Sequence, residues 1–152
     1  MGFSERLAEL GIELPPVAAP VAAYIPATRF GDVIRTSGQL PLVDGALPAV
    51  GKVGSDVPAE DAKGLARVAA LNALAAAAAL AGGVDGLSRV VHVTVFVSSA
   101  PDFTGQAAVA NGASEVLGEI FGEAGRHSRS AVGVAVLPLD TPVEVEVQFA
   151  TA

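Results

Sequence analysis

The stretch "RSAVGVAVLPLDTPVEVEVQFA", Arg129 to Ala150, decides the fold. Two runs of small and β-branched residues flank a turn rich in proline and aspartate, the signature of strands rather than of a helix. In the second run the valines at 143, 145 and 147 alternate with Glu144, Glu146 and Gln148, giving one apolar and one polar face. In the first run Arg129, Ala131, Gly133 and Ala135 share one face, and Val132, Val134 and Val136 the other. The pattern predicts two strands joined directly at Leu139 to Thr141, with Glu144 opposite Val136. Glu144 would then lie seven residues, or roughly 23 Å, from Arg129 along the strand, and on the opposite face. In one chain the two would meet only across a bulge; otherwise any site they share is built between subunits.

Working upstream, "PDFTGQAAVANGASEVLGEIFGEAG" predicts a helix with Val109, Val116, Leu117 and Ile120 facing inward. Before it, "RVVHVTVFVSS" reads as a strand apolar on both faces apart from His92 and Thr94, a pattern typical of strands buried on both sides. Asp56 and Pro58 open a further helix in which Leu65, Val68, Leu71 and Leu74 recur at helical spacing, closed by Gly82 and Gly83. Glycines and prolines from Leu40 to Ser55 predict a loop with room for one short strand. "VAAYIPATRFGDVIRTSGQLPL" predicts a hairpin of Val21 to Ile25 and Asp32 to Thr36, joined around Gly31. "SERLAEL", with Ser4 as N-cap, predicts a short leading helix, and residues 1–16 read as that helix and its linker. The expectation is one domain over residues 1–152, of α/β class: a single mixed sheet in the order ββ(β)αβαββ, with two main helices on one face. The bare face and the small core predict a homo-oligomer.

Composition narrows the function. The formal charge of −7 opposes binding to nucleic acid or anionic lipid, and no local basic patch overrides it. The charge-free run Val68 to Val84 is mostly alanine and reads as a buried helix rather than a membrane span. The first sixteen residues lack the apolar core of a secretory signal, so a cytoplasmic location is expected. With no cysteine there is no thiol chemistry. His92 and His127 sit in different elements without a metal-ligand pattern, so no metal is expected, and they read as a packed strand histidine and a loop residue. No phosphate-cradling or serine-nucleophile motif occurs.

The polar residues that remain have two readings each. Arg129 at a strand start is either a solvated or helix-capping charge, or a fork gripping a carboxylate above a floor of small residues. Glu144 and Glu146 are an ordinary outer face or part of a site. Tyr24, the only tyrosine, either anchors a strand end or lines a cleft. Gly38, after Ser37, permits close approach to the backbone. Asn111 is unfavourable inside a helix and needs a partner.

Taken together, "TSGQLPL", "TVFVSSAPDF", Asn111, "RSAVGVAVLP" and "VEVEVQFA" resemble the Rid family, the YjgF-like reactive intermediate deaminases, over about Tyr24 to Ala150. The leading helix and the segment Asp44 to Gly54 are similar to the branch labelled endoribonuclease L-PSP-like or chorismate-mutase-like. The resemblance implies a chorismate-mutase-like fold, a homotrimer with clefts between subunits, and hydrolysis of 2-imino acids to 2-keto acids and ammonia without a cofactor. It gives Arg129 the substrate carboxylate and Glu144 the water. Tyr24, Ser37, Gly38, Asn111 and Ala131 become cleft residues. Pro26, Ala131, Gly133 and Val136 stand where the family's archetype carries larger or more polar residues. The same cleft in a non-catalytic binder of small carboxylic acids is the alternative, and an RNase-like activity is opposed by the charge.

Overall fold

A computed structural model describes residues 1–17, 19 and 23–152. Its elements are α1 (Phe3–Leu10), β1 (Ala27–Phe30), β2 (Val33–Thr36), α2 (Ala59–Ala81), β3 (Leu87–Ser98), α3 (Gln106–Phe121), β4 (Ser128–Val134) and β5 (Val143–Thr151), with short 3₁₀ turns between several of them. The five strands form one mixed sheet ordered β1-β2-β5-β3-β4, and α2 and α3 share a core with one of its faces.

The last two strands are not neighbours. β4 pairs parallel with β3, β5 pairs antiparallel with the other edge of β3, and β3 therefore lies between them. The expected direct hairpin is replaced by a longer connection. β4 stops at Val134, leaving Ala135 and Val136 outside the strand, and a 3₁₀ turn at Pro138–Asp140 places both Leu139 and Asp140 in left-handed backbone, each with φ 58°. A parallel pair needs a crossover, which α3 supplies between β3 and β4.

Other boundaries moved as well. The first strand lies at Ala27–Phe30, downstream of the expected one; Val21 and Ala22 of the expected strand lie outside the described residues, and Tyr24 and Ile25 are not in a strand. The hairpin does turn at Gly31, whose φ of 59° glycine tolerates without steric cost. The optional strand between Leu40 and Ser55 is absent; the segment makes only isolated bridges, at Val43, Ala46 and Val53. β3 is buried along Val93, Val95 and Val97, while His92, Thr94 and Phe96 on its other face are only half-buried. Ser4 is not the cap of α1, which is capped two residues earlier, at Gly2. Its backbone N–H and hydroxyl instead bond to the Asp85 carboxylate, holding that carboxyl below its ordinary range.

The alanines explain the packing. In α2, Ala62, Ala66, Ala69, Ala70, Ala73 and Ala77 are fully buried together with Leu74, the one of the four expected large residues that faces inward, whereas Leu65, Val68 and Leu71 sit on the flanks. A helix presenting methyl groups can approach its neighbours closely, and α3 answers with Gly112, where any β-carbon would run into the Lys63 carbonyl of α2. All four inward residues expected of α3 are buried, Val109, Val116 and Leu117 completely. α2 is long and apolar enough to cross a bilayer, yet most of its apolar stretch is covered by the fold. Its one buried amide, Asn72, donates to the Leu40 and Leu42 carbonyls at 2.9 and 3.2 Å, tying the loop after β2 to the helix.

Candidate functional site

The sheet order sorts the polar residues into two groups. Arg129 is in register with Val93 of β3, which faces the helices, so the arginine points to that side and meets α3. Its Nη1 donates to Asn111 Oδ1 at 2.8 Å and to Ser114 Oγ at 3.1 Å, and its Nη2 reaches the Ala107 carbonyl at 3.4 Å. Residues 107, 111 and 114 follow i, i+4, i+7 spacing, one stripe of the helix, so the guanidinium lies along a single face of α3. Asn111 thereby gains its partner, a charge-assisted one rather than a backbone carbonyl. No carboxylate neutralises Arg129 among the described residues, and its Nε has no partner there. One edge of the fork is left for an anion, the geometry that suits bidentate grip.

Ala131, two residues along, shares the face of Arg129 and packs against the core. The floor expected beyond it is shorter than the sequence pattern indicated, because Ala135 lies past the strand. At Gly133 the space is bounded by the Gln106 amide and the Ser99 hydroxyl, and a cavity of about 360 Å³ opens there between Lys52, Phe103 and Gln106.

Glu144 faces the opposite side. It is in register with Phe96 of β3, and Phe96 with Val132 of β4. It is therefore only three residues, about 10 Å, from the level of Arg129, but two strand spacings across and on the other face. The register shifts in β3 lie near Leu87 to His92, away from Glu144, and do not bring it round. Burial, followed by repulsion from Glu146, raises the Glu144 pKa above the ordinary 4.5 of glutamate. Glu146 is paired with Arg35 at 3.3 Å.

Ser37 and Gly38 belong with Glu144. The Gln39 N–H and carbonyl bridge to Val145, which lays the segment after β2 along β5, and the Glu144 carboxylate rests over Gly38. The close approach permitted by Gly38 is thus used by the protein's own carboxylate. Ser37 donates its hydroxyl to the Ile25 carbonyl at 2.6 Å and its N–H to the Pro26 carbonyl, which ties the chain just after exposed Tyr24 to this segment. Within one chain the candidate residues accordingly fall into two groups: Arg129, Asn111 and Ala131 on the helix side, and Glu144, Gly38 and Ser37 on the other.

Sequence reasoning missed Ser114 and the role of His127. His127 lies in the loop before β4, as expected, and there contacts Ser114 at 2.9 Å and the Gly125 carbonyl at 2.6 Å, so that it stands behind Arg129. The signal was the stripe 107, 111, 114, which places Ser114 beside Asn111. His92 bonds Ser128 at 2.7 Å across β3 and β4. No group of three or more metal-ligating side chains occurs among the described residues.

A mixed five-stranded sheet backed by two helices, with Arg129 near the start of its parallel edge strand, defines a class of small α/β proteins. The chain belongs to the YjgF/chorismate-mutase-like, or Rid, family: the family model described as "YjgF/chorismate mutase-like, putative endoribonuclease" matches residues 4–150, including the leading helix. Among curated relatives it is 43% identical to Protein TCP17 of Trypanosoma cruzi over 93% of this chain and 89% of that one. It is 35% identical to the 2-iminobutanoate/2-iminopropanoate deaminase of Escherichia coli, over 84% and 87%. A crystal structure described as a putative endoribonuclease from Shewanella oneidensis superposes with a TM-score of 0.94 at 32% identity, covering 99% of both chains.

Proposed function

We propose that this chain hydrolyses reactive 2-imino acids to 2-keto acids and ammonia, in clefts completed between the subunits of a cytoplasmic homotrimer. The observation that carries the reading is Arg129: fixed on α3 by Asn111 and Ser114, without a carboxylate partner, and with its Nε edge open. The relationship to the Escherichia coli deaminase supports the same reaction.

An imine carbon is already electrophilic, so the protein has to orient the acid, place a water and move protons. Arg129 grips the carboxylate beside the C=N bond. Water adds to the carbon of the protonated imine with loss of a proton to Glu144, giving a neutral carbinolamine. Glu144 returns that proton to the nitrogen, the C–N bond breaks to release ammonia, and the hydroxyl gives up its own proton to solvent as the keto group forms. The raised pKa of Glu144 suits a group that takes a proton and returns it. Arg129 and Glu144 occupy opposite faces of one chain, so Glu144 is supplied by a neighbouring subunit, its bare face apposed to the β4 edge of the next. The net charge of −7 favours a small-molecule substrate over RNA.

That same separation favours one second reading, a non-catalytic binder of small carboxylic acids that uses only the Arg129 half-site. A coupled assay separates them: an amino-acid oxidase or a dehydratase releases imino acid, and keto-acid formation is followed with wild type, Arg129→Ala and Glu144→Ala. Acceleration lost in both variants supports hydrolysis. No acceleration with any imino acid, alongside Arg129-dependent binding of 2-oxobutanoate, supports the binder.

A further inference from the structure

The hydrogen bonds behind Arg129 have a direction. His127 Nδ1 lies 2.6 Å from the Gly125 carbonyl oxygen, and its Nε2 lies 2.9 Å from Ser114 Oγ. A carbonyl oxygen only accepts, so Nδ1 carries a proton, and in the singly protonated ring Nε2 is then an acceptor. The Ser114 hydroxyl must then donate to Nε2. Its oxygen is left to accept from Arg129 Nη1 at 3.1 Å. Arginine, serine, histidine and carbonyl thus form one ordered chain. Without the histidine the serine proton would be free to rotate toward the arginine side, where it competes with the Nη1 hydrogen. Packing does not substitute for these bonds: Ser114 and His127 border an open surface depression lined otherwise by Gly118, Gly122, Gly125 and Arg126.

We propose that Ser114 and His127 are positioning residues that lock the Arg129 guanidinium, through one directed hydrogen-bond relay, with its open edge toward the substrate carboxylate. The proposal rests on the carboxylate-gripping role of Arg129. Asn111 and Ser114 accept from the same nitrogen, Nη1, and only the long 3.4 Å contact to the Ala107 carbonyl holds Nη2; loss of Ser114 leaves Nη1 a single acceptor, and His127 fixes the serine that supplies the other.

The test measures 2-oxobutanoate binding by titration calorimetry, together with KM and kcat for imino-acid hydrolysis. Ser114→Ala and His127→Leu are expected to weaken binding and raise KM about 5- to 20-fold while kcat changes less than about 3-fold, as loss of preorganisation predicts. The double variant should be no weaker than the worse single one, since both break one relay. Ser114→Thr and His127→Gln, which keep a hydroxyl and a donor–acceptor pair, should recover most of the affinity. Wild-type affinity in Ser114→Ala and His127→Leu, with binding lost in Arg129→Ala, overturns the relay and leaves the clamp standing. Wild-type affinity in Arg129→Ala removes the clamp, and the relay with it. Nitrogen chemical shifts of the His127 ring in the unmodified protein give a test independent of variant folding. The Nδ1–H tautomer is expected; the Nε2–H tautomer overturns the proposal.

Discussion

The Glu144 carboxylate rests directly on the backbone of Gly38, so closely that a β-carbon at position 38 would overlap its Oε1. The two residues are far apart in sequence, and the Gln39–Val145 bridge beside them sets their approach. Gly38→Ala is therefore expected to push the carboxylate out of place without removing it. Imino-acid hydrolysis should fall at least about 10-fold, a misplacement effect, while the melting temperature moves only slightly. Equal activity in Gly38→Ala and wild type would detach Glu144 from the reaction.

Burial first, and Glu146 second, raise the Glu144 pKa in the folded chain. A carboxyl whose folded pKa lies above its unfolded value binds more protons when folded, so its contribution to stability falls as pH rises through the folded pKa. Glu144→Gln removes the ionised, half-buried group and should raise the melting temperature at neutral pH, with the gain vanishing as pH drops below that pKa. The acid limb of the hydrolysis rate should lie above 4.5. Glu146→Gln should lower the limb only partly, because burial is the larger cause.

Gly112 sits where α3 crosses α2, and its missing side chain makes room for the Lys63 carbonyl. Gly112→Ala should cost about 1–3 kcal/mol in chemical denaturation, the usual penalty of overpacking, and Gly112→Val more. Asn111 is adjacent, so the same shift should weaken keto-acid binding in whatever fraction still folds. A stability unchanged within about 0.5 kcal/mol would mean that the helices can part without loss.

Leu139 is exposed and holds a left-handed backbone with φ 58°. A branched side chain there strains the main chain while burying little. Leu139→Gly should stabilise the chain by about 0.5–1 kcal/mol, the left-handed penalty less the extra freedom glycine gives the unfolded state. A lower melting temperature in that variant would show that the leucine is covered in the assembled protein.

Much of the site was legible because alternation along a strand assigns side chains to faces. Period two placed Arg129 with Ala131 and set Glu144 apart from it, and both hold in the structure. The partner of Asn111 was not legible, since its spacing indicates a helix face but not which strand charge lies across from it. The inward face of α2 was read correctly only at Leu74, for a related reason. Large residues at helical spacing usually mark the buried stripe, but here close approach to the sheet and to α3 selects the alanines and leaves Leu65, Val68 and Leu71 at the flanks.

The sequence by itself determined the two helices that cover one side of the sheet, the face on which each strand residue lies, and the arginine near the start of a strand of small residues. Only the tertiary structure decided which strands touch. Alternation is local and is the same whether β5 pairs with β4 or with β3; choosing between them depends on α3 crossing over to set β4 parallel beside β3, which leaves the other edge of β3 to β5. That choice brings Glu144 from roughly 23 Å along the strand direction to about 10 Å, yet keeps it behind the sheet from Arg129.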